Sequence, residues 1–336
     1  MSTDWHFGNA GNSEKHNQDL IDFIQWMIDW SIENNVTEFT HLGDLFHTRD
    51  KLDVKTIEYA SIGIKLLNER FGKFKQIKGN HDLYLRDSRD ICSLHMFEEQ
   101  VELIDFYKHE DDITFVSWLC NQEEYDKIIK ETKKNKTRFV FGHFEFNCFM
   151  VNERYEMEHG NSHKELKHIE RVFSGHYHGR QEKDNVVYVG NPFPYDFNDV
   201  NDINKGFCVL DTETGKYEFI NYSKIAVIDM TPEQFLEQNW DELEQDNISV
   251  RIVASDNVSY EDLDKIKEIL ENTSFRTSKL VYKQSFNKDN IDDDIEIDHL
   301  MSVDETVLTY IKDMAETSNI NKNLLENLYK ESMNQD

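Results

Sequence analysis

Apolar residues in the first part of the chain recur at two spacings, and the two spacings alternate along the sequence. Between residues 18 and 35, and again between 54 and 70, they fall every three or four positions, which predicts amphipathic helices. Residues 36–42 and 74–78 alternate apolar with polar side chains, which predicts strands. Strands that alternate with helices favour an α/β fold in which the helices pack against a sheet.

The same alternation continues as far as residue 222. A helix is predicted over residues 125–136, and the pattern over residues 206–222 predicts a hairpin that turns at Thr214-Gly215. An earlier helix is predicted from four apolar residues: Ile91, Leu94, Met96 and Phe97. Further strands are predicted over residues 101–107, 113–120, 137–141 and 171–174.

The pattern changes again after residue 222, where strands and one helix indicate a small α+β module. The strands are predicted over residues 226–230, 248–254 and 280–283, and the helix over 260–271. An acidic stretch follows, and then two short helix patterns that cannot bury their apolar stripes alone. These two helices need a partner surface unless they fold back on the module. We therefore predict four segments: residues 1–222, 223–286, 287–301 (the acidic linker) and 302–336.

Charge and cysteine content limit the classes of function. The 336 residues include 37 basic and 66 acidic ones, and the formal charge of −29 excludes a global positive field that attracts nucleic acid. The four cysteines lie far apart without a CxxC pair, which indicates a reducing compartment. No apolar run is long enough to span a membrane and no signal peptide is evident, so we expect a cytoplasmic protein.

Metal-ligating side chains follow four of the predicted strands. A glycine comes at the end of each strand, and Asp44, Asn80, His143 or His176 comes directly after it. At Gly79 we expect a sharp turn with positive φ. Each residue alone is more often part of a polar turn or a structural histidine, but the repetition at the same place favours a shared site.

Two pairs of such residues are spaced two apart in the sequence. On an extended backbone Asp4 and His6 point the same way, and so do His176 and His178. For the first pair, a disordered polar terminus is the alternative. The collected set has two carboxylates, one amide and four imidazoles: Asp4, His6, Asp44, Asn80, His143, His176 and His178.

This set predicts a site for two metal ions. Seven ligands exceed what one tetrahedral zinc ion takes, and they suit two octahedral ions that share a carboxylate. Oxygen and nitrogen ligands without thiolate favour Mn²⁺ or Fe²⁺ over soft metals. His47 and His81 remain outside the set, and an imidazole beside two such ions can stabilise charge or protonate a leaving oxygen.

The order of these stretches resembles the five motifs of the calcineurin-like metallophosphoesterases. The motifs are Asp4-x-His6, Gly43-Asp44-x-x-His47, Gly79-Asn80-His81-Asp82, Gly142-His143 and Gly175-His176-x-His178. The second and third differ from those of the protein phosphatases in this superfamily. Residues 187–193 are similar to the strand and turn that follow the last motif in SbcD-type DNA repair nucleases. The chain is thus most similar to the nuclease subunits of tailed-phage recombination endonucleases.

This resemblance implies a mixed β-sandwich flanked by helices, with a nuclease domain over residues 1–222 and a capping domain over residues 223–286. It implies that His81 is the catalytic imidazole, that His47 is an accessory one, and that Asp82 orients His81. It also divides the ligands between two ions bridged by Asp44. One ion is assigned to Asp4, His6, Asp44 and His178, and the other to Asp44, Asn80, His143 and His176.

The same resemblance implies the cofactors and partners. We expect two Mn²⁺ ions, with Mg²⁺ or Fe²⁺ as alternatives, and DNA as the substrate of an exonuclease or endonuclease. Residues 302–336 are expected to dock on an SbcC-type coiled-coil ABC ATPase, and a homodimer is expected. If a phage encodes the chain, the location is the cytoplasm of the host cell.

One feature departs from the family, and two other classes of function stay open. The family's Asp-x-His motif ends a full strand, whereas three residues precede Asp4, so we expect a misassigned start or a missing first strand. A phosphatase that acts on a small molecule or a phosphoprotein uses the same ligands. A non-catalytic scaffold is disfavoured because every ligand position is filled.

Overall fold

The computed structural model describes residues 1–151, 155–200, 202–254 and 258–282. Residues Met1–Lys283 form one compact unit, and Gln284–Asp336 form a second unit that lies outside the described residues. The predicted acidic linker and the two terminal helices belong to that second unit and stay predictions. Within the described ranges, no helix is both long enough and apolar enough to cross a membrane.

Helices and short strands make up the described chain. The α-helices are α1 (Asn9–Asn12), α2 (Glu14–Glu33), α3 (Val54–Phe71), α4 (Gln122–Asn135), α5 (Pro232–Glu237) and α6 (Tyr260–Asn272). Single 3-10 turns cover Ser93–Phe97, His163–Leu166, Trp240–Glu242 and Gln245–Asn247. The first strands are β1 (Thr40–His41), β2 (Lys75–Ile77), β3 (Leu83–Leu85), β4 (Ser88–Cys92), β5 (Glu102–Ile104), β6 (Tyr107–Glu110), β7 (Ile113–Val116) and β8 (Phe139–His143). The later strands are β9 (Arg171–Gly175), β10 (Gln181–Lys183), β11 (Val186–Tyr188), β12 (Gly206–Leu210), β13 (Tyr217–Asn221), β14 (Ala226–Met230), β15 (Ile248–Ala254) and β16 (Thr277–Tyr282).

Two sheets face each other around a shared core. One is parallel, in the order β1-β2-β5, and the other is mixed, in the order β10-β11-β9-β8-β7-β6. Both contribute to one buried cluster, in which Leu42 and Ile77 from the first sheet meet Phe141 and Phe173 from the second. Helices α2 and α3 cover the outside of the first sheet, and α4 covers the outside of the second. The predicted α/β fold class, a β-sandwich flanked by helices, is confirmed.

The N-terminal segment joins the first sheet to the β12–β13 hairpin. Ser2 forms a parallel bridge with His41, and the carbonyl oxygen of Met1 accepts a hydrogen bond from the Cys208 N–H at 3.0 Å. These contacts carry the chain to the sheet edge, where Asp4 follows directly.

A small parallel sheet, in the order β14-β15-β16, has its own core with α5 and α6. Charged pairs connect this module to α2. Arg276 pairs with Asp19, whose side chain is 2% exposed, and Lys15 lies 3.6 Å from Asp246. The strands predicted over 226–230 and 248–254 and the helix predicted over 260–271 are thus confirmed, and the strand predicted from residue 280 begins earlier, at Thr277. The capping role and the domain boundaries stay predictions.

The helix predicted around Ile91 is wrong. The chain instead forms the β3–β4 hairpin, in which Leu83 pairs with Cys92, and only then makes a 3-10 turn. Ile91 is 63% exposed and Met96 is 45% exposed, so half of the apparent apolar stripe faces water. The predicted strand over residues 101–107 is also divided, because β5 lies in the first sheet and the chain reaches the second sheet at β6.

Candidate metal centre

The predicted site residues meet at one edge of the β-sandwich. The strands β1, β2, β8 and β9 are parallel to their sheet neighbours, so their carboxyl ends lie on the same side. Asp44 follows β1, Asn80 follows β2, His143 ends β8 and His176 follows β9. The N-terminal segment adds Asp4 and His6 at the same edge.

Left-handed backbone conformations aim several of these side chains. The φ angles are 53° at Asp4, 49° at His6, 57° at Asp44 and 96° at His176. Such angles are strained for residues other than glycine and are concentrated at functional sites. The prediction that Asp4 and His6 converge from an extended backbone is therefore wrong, since the two side chains converge through positive φ.

Two glycines at this edge are needed because a side chain at their positions would overlap neighbouring residues. A Cβ atom on Gly79 would overlap the Asp44 carboxylate, and one on Gly175 would overlap the Thr3 hydroxyl. Positive φ was predicted for Gly79, but the left-handed glycine is Gly43, with φ of 103°. Gly79 is needed because the backbone after β2 passes directly against Asp44.

The first half of the centre brings the ring nitrogens of two histidines close to two buried carboxylates. The Nε2 atoms of His6 and His178 lie 3.1 Å apart. The His6 Nε2 atom also lies 3.9 Å from Asp4 Oδ1 and 3.8 Å from Asp44 Oδ2. Atoms of Asp4, His6 and His178 lie within 4.8 Å of one another, which is close enough to hold a single ion.

The second half shares Asp44 with the first. The Nε2 atom of His143 lies 3.4 Å from Asp44 Oδ2 and 3.1 Å from Asn80 Oδ1. His143 Nδ1 donates to the Leu42 carbonyl oxygen at 2.8 Å, so in the neutral ring Nε2 presents a lone pair to these two oxygens. His176 Nδ1 lies 2.9 Å from the same Asn80 oxygen.

The pKa values of the buried groups indicate that the carboxylates at this centre need nearby positive charge to stay ionised. Burial raises the pKa of Asp4 to about 7, against an opposing effect of His143. Burial also acts to raise the pKa of Asp44, but neighbouring imidazoles hold it well below its usual value. Burial acts to lower the pKa of His143, yet Asp44 raises it to about 9. The donor set therefore fits divalent cations, which satisfy two carboxylates and several lone pairs at once.

Three further predicted residues lie beside this centre. The His81 ring is 4.9 Å from the His6 ring, and the His47 ring is 5.5 Å from it. Asp82 was predicted to orient His81, but its carboxylate instead accepts backbone hydrogen bonds. The donors are the N–H groups of Asp44 at 2.9 Å, Leu45 at 3.0 Å, Phe46 at 3.4 Å and Gly79 at 2.8 Å. Asp82 thus holds the loop that carries Asp44.

Sequence reasoning missed two side chains that support the ligands. Glu145 Oε1 lies 3.3 Å from His176 Nε2, and the Tyr195 hydroxyl donates to the Asp4 carbonyl oxygen at 2.6 Å. Glu145 follows His143 by two residues, the same spacing that singled out Asp4 and His6, so the signal was present in the sequence. Tyr195 follows the 187–193 stretch without a comparable pattern.

Comparison with known proteins adds one curated relative. No protein-family model matches the chain. Exonuclease subunit 1 of Enterobacteria phage T4 is 30% identical over 224 residues, which cover 65% of this chain and 65% of the phage protein. The chain therefore matches just under two thirds of that relative's length. The similarity confirms the resemblance to tailed-phage nuclease subunits that the motifs predict.

Among solved structures, a dimetal phosphatase from Danio rerio is similar to this chain. It has 11% sequence identity and a TM-score of 0.38, over 56% of this chain and 86% of the phosphatase.

Proposed function

We propose that this chain is the nuclease subunit of a DNA recombination and repair complex and that it hydrolyses DNA phosphodiester bonds with two divalent ions. One observation carries the proposal. Asp44 Oδ2 lies 3.8 Å from His6 Nε2 and 3.4 Å from His143 Nε2, between two groups of ligands. A carboxylate at this place suits a bridge between two ions. The name of the phage relative, an exonuclease subunit, supports a nucleic acid as the substrate class, and we take that nucleic acid to be DNA.

Each half of the centre supplies ligands for one ion. Asp4, His6 and His178 would hold the first ion, and Asn80, His143 and His176 would hold the second. Two bound ions of this kind stabilise both the attacking and the leaving oxygen of a phosphoryl displacement. The oxygen and nitrogen ligands favour Mn²⁺, since Mn²⁺ accepts imidazole together with carboxylate.

The role proposed for His81 is proton transfer to the leaving oxygen. Its Nδ1 atom donates to the His47 carbonyl oxygen at 2.7 Å, which leaves Nε2 as the nitrogen that exchanges a proton with substrate. The His81 N–H also donates to Asp44 Oδ1 at 2.8 Å, so the residue is fixed directly beside the metal bridge. His47 has the accessory role, through its carbonyl oxygen and its ring.

The partners follow from the same proposal. The relative is named a subunit, which supports assembly with another protein. We assign that protein to the SbcC-type ABC ATPases, with residues 302–336 as the docking element and with a homodimer of this chain. Because the chain has a formal charge of −29, it has little electrostatic attraction for DNA by itself. This supports a partner that supplies most of the DNA binding.

Cleavage of linear duplex DNA in the presence of Mn²⁺ tests the proposal. The wild-type protein is expected to cut DNA, and His143→Ala to lose cutting because a buried ligand is removed. His168→Ala is the matched control, since His168 is exposed and contacts Thr132 away from the site. Hydrolysis of a phosphorylated peptide, together with no cleavage of DNA, would instead identify a phosphatase.

A further inference from the structure

Glu145 lies on the loop directly after β8 and reaches the metal centre from outside the ligand set. Its Oε1 atom is 3.3 Å from His176 Nε2. A carboxylate can only accept in this contact, so the proton of the neutral His176 ring resides on Nε2. The other ring nitrogen, Nδ1, then presents its lone pair to the metal centre, 2.9 Å from Asn80 Oδ1.

Arg86 fixes Glu145 in that place. Arg86 lies at the turn of the β3–β4 hairpin, and its Nη2 atom is 2.6 Å from the same Glu145 oxygen. Its guanidinium lies 4.8 Å above the Trp118 ring, and its carbonyl oxygen accepts the Trp118 Nε1–H at 2.9 Å. The Trp118 ring is in turn 5.2 Å from the His176 ring.

We propose that Glu145 is a positioning residue that selects the His176 tautomer able to bind metal through Nδ1, and that Arg86 holds Glu145 for this task. This inference rests on the proposed two-metal function. Carboxylates that accept the second N–H of a metal-bound histidine commonly tune metal affinity by 10- to 100-fold. The hairpin thereby becomes part of the metal site, although it contributes no ligand itself.

The test measures metal binding and the ring tautomer without DNA. Calorimetric titration with Mn²⁺ is expected to show that Glu145→Ala lowers the affinity for one of the two ions by about 10- to 100-fold and leaves the affinity for the other unchanged. Nitrogen NMR of histidine-labelled, metal-free protein is expected to show that His176 loses its fixed Nε2–H tautomer in the same variant. Glu145→Gln retains an acceptor oxygen, so it is expected to keep the tautomer and to restore part of the affinity.

Glu170→Ala is the matched control, because Glu170 also pairs with an arginine, Arg138, but lies away from the centre. It is expected to leave both affinities and the His176 signal unchanged. If Glu145→Ala keeps either the wild-type affinity or the wild-type tautomer, the proposal is wrong.

Arg86→Gln provides a second variant should Glu145→Ala fail to fold, since the Arg86 side chain is 47% exposed. Arg86→Gln is expected to lower the affinity for the same Mn²⁺ ion as Glu145→Ala does. Unchanged Mn²⁺ binding would also overturn the proposal. Because neither measurement uses DNA, a wild-type chain that cuts no DNA counts only against the proposed nuclease function.

Discussion

His81 Nδ1 donates a hydrogen bond to the carbonyl oxygen of His47 at a distance of 2.7 Å. This contact links the loop after β1 to the loop after β2, so two motifs that are far apart in sequence fix one imidazole. Asp82, the residue that sequence reasoning gave this task, lies next to His81 but accepts backbone N–H groups from the Asp44 loop.

His81→Ala is therefore expected to separate catalysis from metal binding. The ring supplies no ligand to either ion in the proposed arrangement, so Mn²⁺ content should stay at the wild-type value. DNA cleavage should fall by about 10²-fold or more, since a positioned general acid contributes at least that much. Metal analysis and cleavage rates on the same preparation check both expectations. Metal content that falls together with activity would make His81 a ligand.

Gly79→Ala is expected to disrupt the centre although it changes no ligand. The added Cβ atom would overlap the Asp44 carboxylate, and the atoms around Asp44 are buried and cannot move freely. We expect a lower melting temperature and a loss of Mn²⁺ binding. Gly179→Ala is the matched control, because its Cβ atom would meet only Asp202 Oδ2 at 3.8 Å. Equal effects of the two substitutions would contradict the close approach at Gly79.

Asp19→Ala is expected to destabilise the protein through the contact between α2 and the β14–β16 module. Asp19 and Arg276 form a buried ion pair with side chains 2% and 9% exposed, and removal of one partner leaves a buried charge. Such a loss costs about 3–5 kcal/mol in the free energy of unfolding, measured with urea.

Glu261→Ala serves as its control, because the Glu261–Lys265 pair is exposed on α6 and should matter little. If the two variants are equally stable, the Asp19–Arg276 pair does not hold the module in place.

Much of the site could be predicted from the sequence because its ligands follow strand ends. Asn80 and His143 each come after a glycine at the end of a buried strand, and parallel strands bring such positions together. Most partners of Asp82 could not be predicted, because three of the four N–H groups that it binds belong to a loop 36 to 38 residues away in sequence.

The fold was predictable where periodicity and burial agree. Helices α2 and α3 show a clear apolar stripe, and side-chain caps at Ser13 and Asp53 mark where they begin. The β3–β4 hairpin was mistaken for a helix because Ile91 and Met96 are apolar but exposed. The sequence pattern alone does not distinguish an exposed apolar residue from a buried one.

Manganese content and electron paramagnetic resonance of the protein show whether Asp44 bridges two metal ions. Wild-type protein is expected to bind two Mn²⁺ ions that share a ligand and give a spin-coupled spectrum, and to cut DNA. Asp44→Ala should bind at most one ion, give an uncoupled spectrum and lose cleavage, while Asp126→Ala, on the exposed face of α4, should behave as wild type. Two coupled ions and full cleavage in Asp44→Ala would contradict the account.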